Sequence, residues 1–113
     1  MTMRALETVE ALRRDRIDAA VLHVPTAKPL DEAALLAEAG RGGRLVVMAE
    51  NHTAVGGLGE AVAAPLLRAG TIPRAFRQVA PPDAFLDAGT LPTLHARYGI
   101  SADAMSASIK GWL

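Results

Sequence analysis

Apolar residues at the start of the chain recur at helical spacing: Ala5, Leu6, Val9 and Leu12, with Arg4, Glu7, Glu10, Arg13 and Arg14 between them. This predicts an amphipathic helix ending near Asp15. The period then changes. Ala19-Ala20-Val21-Leu22-His23-Val24 is almost wholly apolar and stops at Pro25, the pattern of a strand buried on both faces of a parallel sheet. Pro25 and Pro29 exclude a helix between them. Asp31 is a good N-cap and Glu32 suits the positive end of a helix dipole, so a short helix runs on to Gly40, read as its C′ glycine. Gly42-Gly43 turns the chain into a second apolar run, Arg44 to Glu50, and a glycine-rich turn leads into a helix from about Gly57 to Ala69, closed by Gly70. Pro65 falls inside that helix and removes a backbone hydrogen bond at a cost of about 3 kcal/mol, which predicts a kink or a break. Ile72 to Val79 reads as a third strand, at an edge or half exposed because of Pro73, Arg74 and Arg77. After Pro81-Pro82 come two short helical segments, Leu91 to Tyr98 and Ser101 to Leu113, the second capped by Ser101 with Asp103 in its first turn.

Helices and strands thus alternate. The expected class is α/β: a three-layer α/β/α sandwich on a mainly parallel or mixed sheet with right-handed crossovers. The chain enters through a helix, so the sheet either takes its opening strand from residues outside this sequence or manages with three. With 113 residues, half of them hydrophobic, residues 1–113 form one domain that an ordinary apolar core can hold.

Charge and cysteine content narrow the function classes. There is no cysteine, which removes thiolate catalysis, Cys-based zinc sites and disulfide scaffolds and suits the cytoplasm. The amino terminus carries charges throughout, and no apolar run approaches the roughly 20 residues of a membrane-spanning helix. Twelve cations balance twelve acids, and Asp15 and Asp18 interrupt the basic cluster Arg13, Arg14 and Arg16. Nucleic acid and membrane surfaces are therefore not expected partners.

The stretch from Glu50 to Glu60 gathers polar groups at the carboxyl end of a strand and the start of a helix, where open α/β sheets often bind ligands. Glu50, His52, Gly56, Gly57 and Gly59 are its candidate residues, for an interface or an anion-binding loop. The glycines are not spaced G-x-G-x-x-G and no lysine follows, so their first task is positive φ or close helix-to-strand packing. Glu50 and His52 are two apart, as an acid/base pair on an extended chain would be, although such residues more often sit at a surface or interface. His23 is expected buried or at a strand end, and His95 lies on a short polar helix. The three histidines lack metal-ligand spacing, so no metal site is expected. Ser101, Ser106 and Ser108 are not in a nucleophile setting. Asp83 and Asp87 are expected to organise the turn after Pro82, with Phe85 as its anchor, and Tyr98, Ile100 and Trp112 to serve as core or interface anchors.

Four elements in order, Lys28-Pro29-Leu30-Asp31, Glu50 with Gly56-Gly57-Leu58-Gly59, Asp83-x-Phe85 and Tyr98-Gly99-Ile100-Ser101, closely resemble the C-terminal domain of the transketolase family. The resemblance covers nearly the whole chain, and Pro65 departs from it. It leans toward split and sugar-specific transketolases; 1-deoxyxylulose-5-phosphate synthases and the beta subunits of 2-oxo-acid dehydrogenases share the domain. It implies a structural, dimer-supporting role in an enzyme that transfers two-carbon ketol units between sugar phosphates; the alternative is a stand-alone α/β binding module that uses the Gly56–Gly59 helix N-terminus to hold an anion or a partner's acidic group. Thiamine diphosphate and its divalent metal would lie between two other domains, leaving this chain with no catalytic, cofactor or metal residues and no activity alone. The implied partners are those thiamine-binding domains or subunits and further copies of the chain. The resemblance also places Met1 at the end of an apolar-Gly-Ser-Met strand, so the first strand of the domain is expected to be missing.

Overall fold

The computed structural model describes residues 1–113. Helix α1 (Thr2–Arg14) ends on basic residues that favour a helix C-terminus, and Arg16 at φ 61° reverses the chain. Helix α2 (Glu32–Ala39) starts where Asp31 Oδ1 accepts the Ala34 N–H at 3.0 Å. Strand β1 (Leu45–Ala49), helix α3 (Leu58–Arg68) and strand β2 (Ala75–Val79) follow as one crossover unit. The strands pair parallel, with Val47 opposite Arg77. Helix α4 (Leu91–Arg97) and helix α5 (Ala102–Trp112), capped by Ser101, complete the chain.

The architecture is the expected α/β sandwich, with helices on both faces of a small parallel sheet. On one face Met48 packs with Leu35 and Ala39 of α2 and Val62 and Leu66 of α3. On the other, Val79 packs with Ile100 and Met105, and Met1, Val47, Ala49 and Trp112 gather around them. Alternate residues of β1 thus serve opposite layers, as the period of a strand requires. Helix α1 crosses α5 at small residues, where the buried Thr8 hydroxyl bonds the carbonyls of Arg4 and Ala102 at 2.8 and 3.3 Å. Buried Ser106 of α5 leaves its hydroxyl without a partner.

Three expectations about elements need correction. The strand expected over Ala19–Val24 does not form, and the segment Ile17–Val24 does not join the sheet, which holds only β1 and β2. It has no strand beside it to supply the ladder, and it is half exposed rather than buried on both faces. Gly40 closes α2 at φ −73°, in the right-handed region, so no left-handed cap forms there. Of the kink or break expected at Pro65, the break does not occur: α3 runs on to Arg68. The carbonyl deprived of a donor belongs to Ala61, an exposed residue within reach of water, while Pro65 itself is buried in the layer.

Candidate functional site

The junction between β1 and α3 is built around Glu50. The strand carries this residue inward, where it is buried, and its N–H donates to the Val79 carbonyl at 3.0 Å. Its carboxylate accepts the backbone N–H groups of Leu58 (2.7 Å) and Gly59 (3.1 Å), the first residues of α3. A side chain eight residues upstream therefore caps a helix whose own N-cap, Gly57, has none to offer. The charged acceptor also neutralises the positive end of the helix dipole. Bonds of this kind contribute about 1.5–3 kcal/mol each.

The glycines make that approach possible. A Cβ at Gly57 would lie 2.5 Å from the Thr53 carbonyl oxygen and 2.7 Å from Glu50 Cδ. A Cβ at Gly59 would run into the Gln78 side chain of β2, 2.7 Å from its Cδ. Gly56 takes φ 69°, which favours glycine, and its N–H donates to Glu60 Oε2 at 3.1 Å.

Glu50 and His52 do not form a pair. Glu50 turns into the protein, while His52 is exposed and its Nδ1 lies 3.0 Å from the Thr53 carbonyl. The turn between them is bent, so the rule for neighbours two apart on a strand does not apply. Nor does the junction fit a diphosphate: Leu58 and Gly59 already bond a carboxylate, and that buried charge would repel a second anion. No group of three or more acidic or imidazole side chains gathers to hold a metal.

The other candidates lie apart. His23 is exposed, with Nδ1 3.0 Å from Thr2 Oγ1. His95 is half buried in a groove beside α1, where desolvation, then Arg4 and the chain's amino group, hold it below the ordinary imidazole value. Asp87 organises the loop after Pro82 as expected: its N–H donates to the Tyr98 hydroxyl at 2.9 Å and its carboxylate pairs with Arg97 at 2.6 Å. Phe85 corrects its expectation, for it is fully exposed and anchors nothing within the chain. The contacts of Thr53 and Gln78 with the glycines, and of Arg4 with Asn51, carried no signal in the sequence.

Residues 1–105 match the family described as Transketolase, C-terminal domain. The chain belongs to that family. This transketolase C-terminal domain is 67% identical, over its whole length, to 33% of the transketolase family protein y4mN of Sinorhizobium fredii. Identity is 39% over 90% of the chain and 31% of the 6-deoxy-6-sulfo-D-fructose transketolase subunit SqwH of a Clostridium species. It is 37% over 96% of the chain and 17% of the 1-deoxy-D-xylulose-5-phosphate synthase of Syntrophotalea carbinolica. Among solved structures, a split gene transketolase described as an inactive beta4 tetramer superposes with a TM-score of 0.82 at 34% identity, covering 97% of this chain and 34% of that one. The domain thus spans a third or less of the length of the curated relatives named. No helix of the domain is long and apolar enough to cross a membrane.

Proposed function

We propose that this chain is the assembly-supporting C-terminal part of a transketolase that moves a two-carbon ketol unit between sugar phosphates, and that it performs no transfer alone. The observation carrying this reading is the closed N-terminus of α3, where Glu50 already bonds the two backbone donors an anion would need. Thiamine diphosphate and its metal are then held by other domains or subunits of the enzyme, which are this chain's partners together with further copies of itself. The loop of Glu50, His52, Gly56, Gly57 and Gly59 works as a shaped interface, and the exposed Phe85, held out by the Asp87–Arg97–Tyr98 network, is a second contact. A cysteine-free chain of balanced charge suits such an enzyme in the cytoplasm.

Calorimetric titration of the purified chain with thiamine diphosphate and magnesium is the test. No heat of specific binding is expected, and ketol transfer is expected only after assembly with a thiamine-binding polypeptide; specific binding by the chain alone overturns the reading. The recurrence of 1-deoxy-D-xylulose-5-phosphate synthases among the relatives favours that enzyme as the second reading. Formation of 1-deoxyxylulose 5-phosphate by the assembled enzyme, in place of ketol transfer between sugar phosphates, would establish it.

A further inference from the structure

Strand β2 is bonded along one side only. Its register sets Val46 against Phe76 and Met48 against Gln78, and the Val79 carbonyl accepts the Glu50 N–H at 3.0 Å. Backbone groups alternate along a strand, so those of Ala75, Arg77 and Val79 face β1 while those of Phe76 and Gln78 face away from it. No loop or helix takes up the outward groups through its own backbone.

An edge of this kind is a template for a further strand. Its length is limited by proline, since Pro73 before it and Pro81-Pro82 after it lack the N–H groups that would extend a ladder. Between these ends, Ala75-Phe76-Arg77-Gln78-Val79 holds two strand-favouring apolar residues, no acid and a single charge.

That charge stands at the centre of the edge. Arg77 is exposed, belongs to none of the chain's ion pairs, and donates from Nη1 to the Phe76 carbonyl at 3.1 Å. Phe76 packs on the α2–α3 layer and Val79 with Ile100 and Met105 on the other face. By alternation Arg77 leaves from the Val79 face, and its guanidinium bends round the edge to an acceptor that points outward.

The position of the charge decides what it does. Two copies that met edge to edge about a two-fold axis would run antiparallel. The register that uses the outward groups of both copies couples Phe76 of each with Gln78 of the other. It sets Arg77 directly opposite its own counterpart, in the non-hydrogen-bonded position where Cα atoms approach to about 4.5 Å. Like charges placed so are destabilising, and the Phe76 carbonyl must also give up its guanidinium.

We infer that Arg77 guards this edge: it closes β2 against the β2 of a second copy, and its loss opens the chain to a two-fold dimer in which the two sheets become one. The contact is one that the chain avoids, so assembly through the Glu50 turn or Phe85 is independent of it.

The test compares the full chain with Arg77→Thr, Arg77→Val, Arg77→Glu and Arg13→Thr by sedimentation over a range of concentrations, with amide exchange read at Phe76 and Gln78. Arg77→Thr should raise the apparent association constant about tenfold over the unchanged chain, as expected when a cross-strand repulsion gives way to a favourable pair. Exchange at Phe76 and Gln78 should slow as its concentration rises, and Arg77→Val should do the same. Arg77→Glu again sets like charges opposite each other and should match the unchanged chain. Arg13→Thr, on α1, removes a cation away from β2 and should match it too. Both threonine variants leave one more acid than cations, a change of net charge that by itself opposes association. Association of both uncharged Arg77 variants no stronger than that of the unchanged chain overturns the inference. So does association without protection at Phe76 and Gln78, or an equal rise in Arg77→Glu or Arg13→Thr.

Discussion

Two stretches of this domain share one grammar: an apolar run, a turn rich in proline or glycine, then a helix. Leu45–Ala49 leads through Glu50 and the glycine turn into α3, and Ile17–Val24 leads through Pro25 and Pro29 into α2. Only the first becomes a strand. Its backbone has β2 to bond, its helix is capped by a buried carboxylate, and its Met48 is covered by two helices. The second has an apolar run at least as long, and a helix cap of its own at Asp31, but no neighbour. Extended conformation came from the reach the chain had to cover; strand identity comes from a partner.

That contrast can be broken most directly at Glu50. Glu50→Ala removes the acceptor for one buried and one half-buried N–H group and is expected to cost about 3 kcal/mol or more in denaturant unfolding, whereas Asp31→Ala, which loses an exposed cap, should cost about 1 kcal/mol. Comparable losses would mean that the two junctions are equally held. Gly57→Ala is expected to cost about 1–3 kcal/mol, since the new methyl meets the Thr53 carbonyl and the Glu50 carboxylate together. Gly59→Ala should cost less, because Gln78 can partly withdraw, and combining it with Gln78→Ala should recover much of the loss in a double-mutant cycle.

Truncation within the two apolar runs sharpens the comparison at smaller scale. Met48→Ala is expected to cost about 2–3 kcal/mol and Val21→Ala about 0.5 kcal/mol in the chain as it stands. Equal costs would show Val21 to be as firmly packed as Met48.

The smallest effect is a pH slope set by α4, outside both stretches. His95 is held below its ordinary value of 6.5, so the unfolded chain takes up a proton that the folded chain resists. Its stabilising contribution is complete above pH 6.5 and is lost as pH falls below it. His95→Gln should flatten the stability profile in that acidic range; an unchanged profile would assign the slope to other groups.

Much of this arrangement was legible in the residues. The end of α1 near Asp15, the caps at Asp31 and Ser101, and the glycine turn after an apolar run each gave the right element, because each is a local property. Loss of the first strand pairing was not local: nothing within Ala19–Val24 tells whether a neighbour exists. Glu50 stood out as a polar residue at a strand end, but its helix partners lie eight and nine residues on, and only the fold of the turn directs it inward. Phe85 read as an anchor because large aromatics usually bury themselves. Here the Asp87 network fixes the loop without it.

The internal cap on α3 also bears on hydration. An open helix end binds water strongly, and a surface covering it must first strip that water away. At this junction the Leu58 and Gly59 donors are already bonded, the matching carboxylate is buried, and the Gly56 donor is met by Glu60. Water therefore has no bare donor to hold at Leu58 and Gly59, and its hold on the turn is left to the exposed Glu60 and His52 side chains.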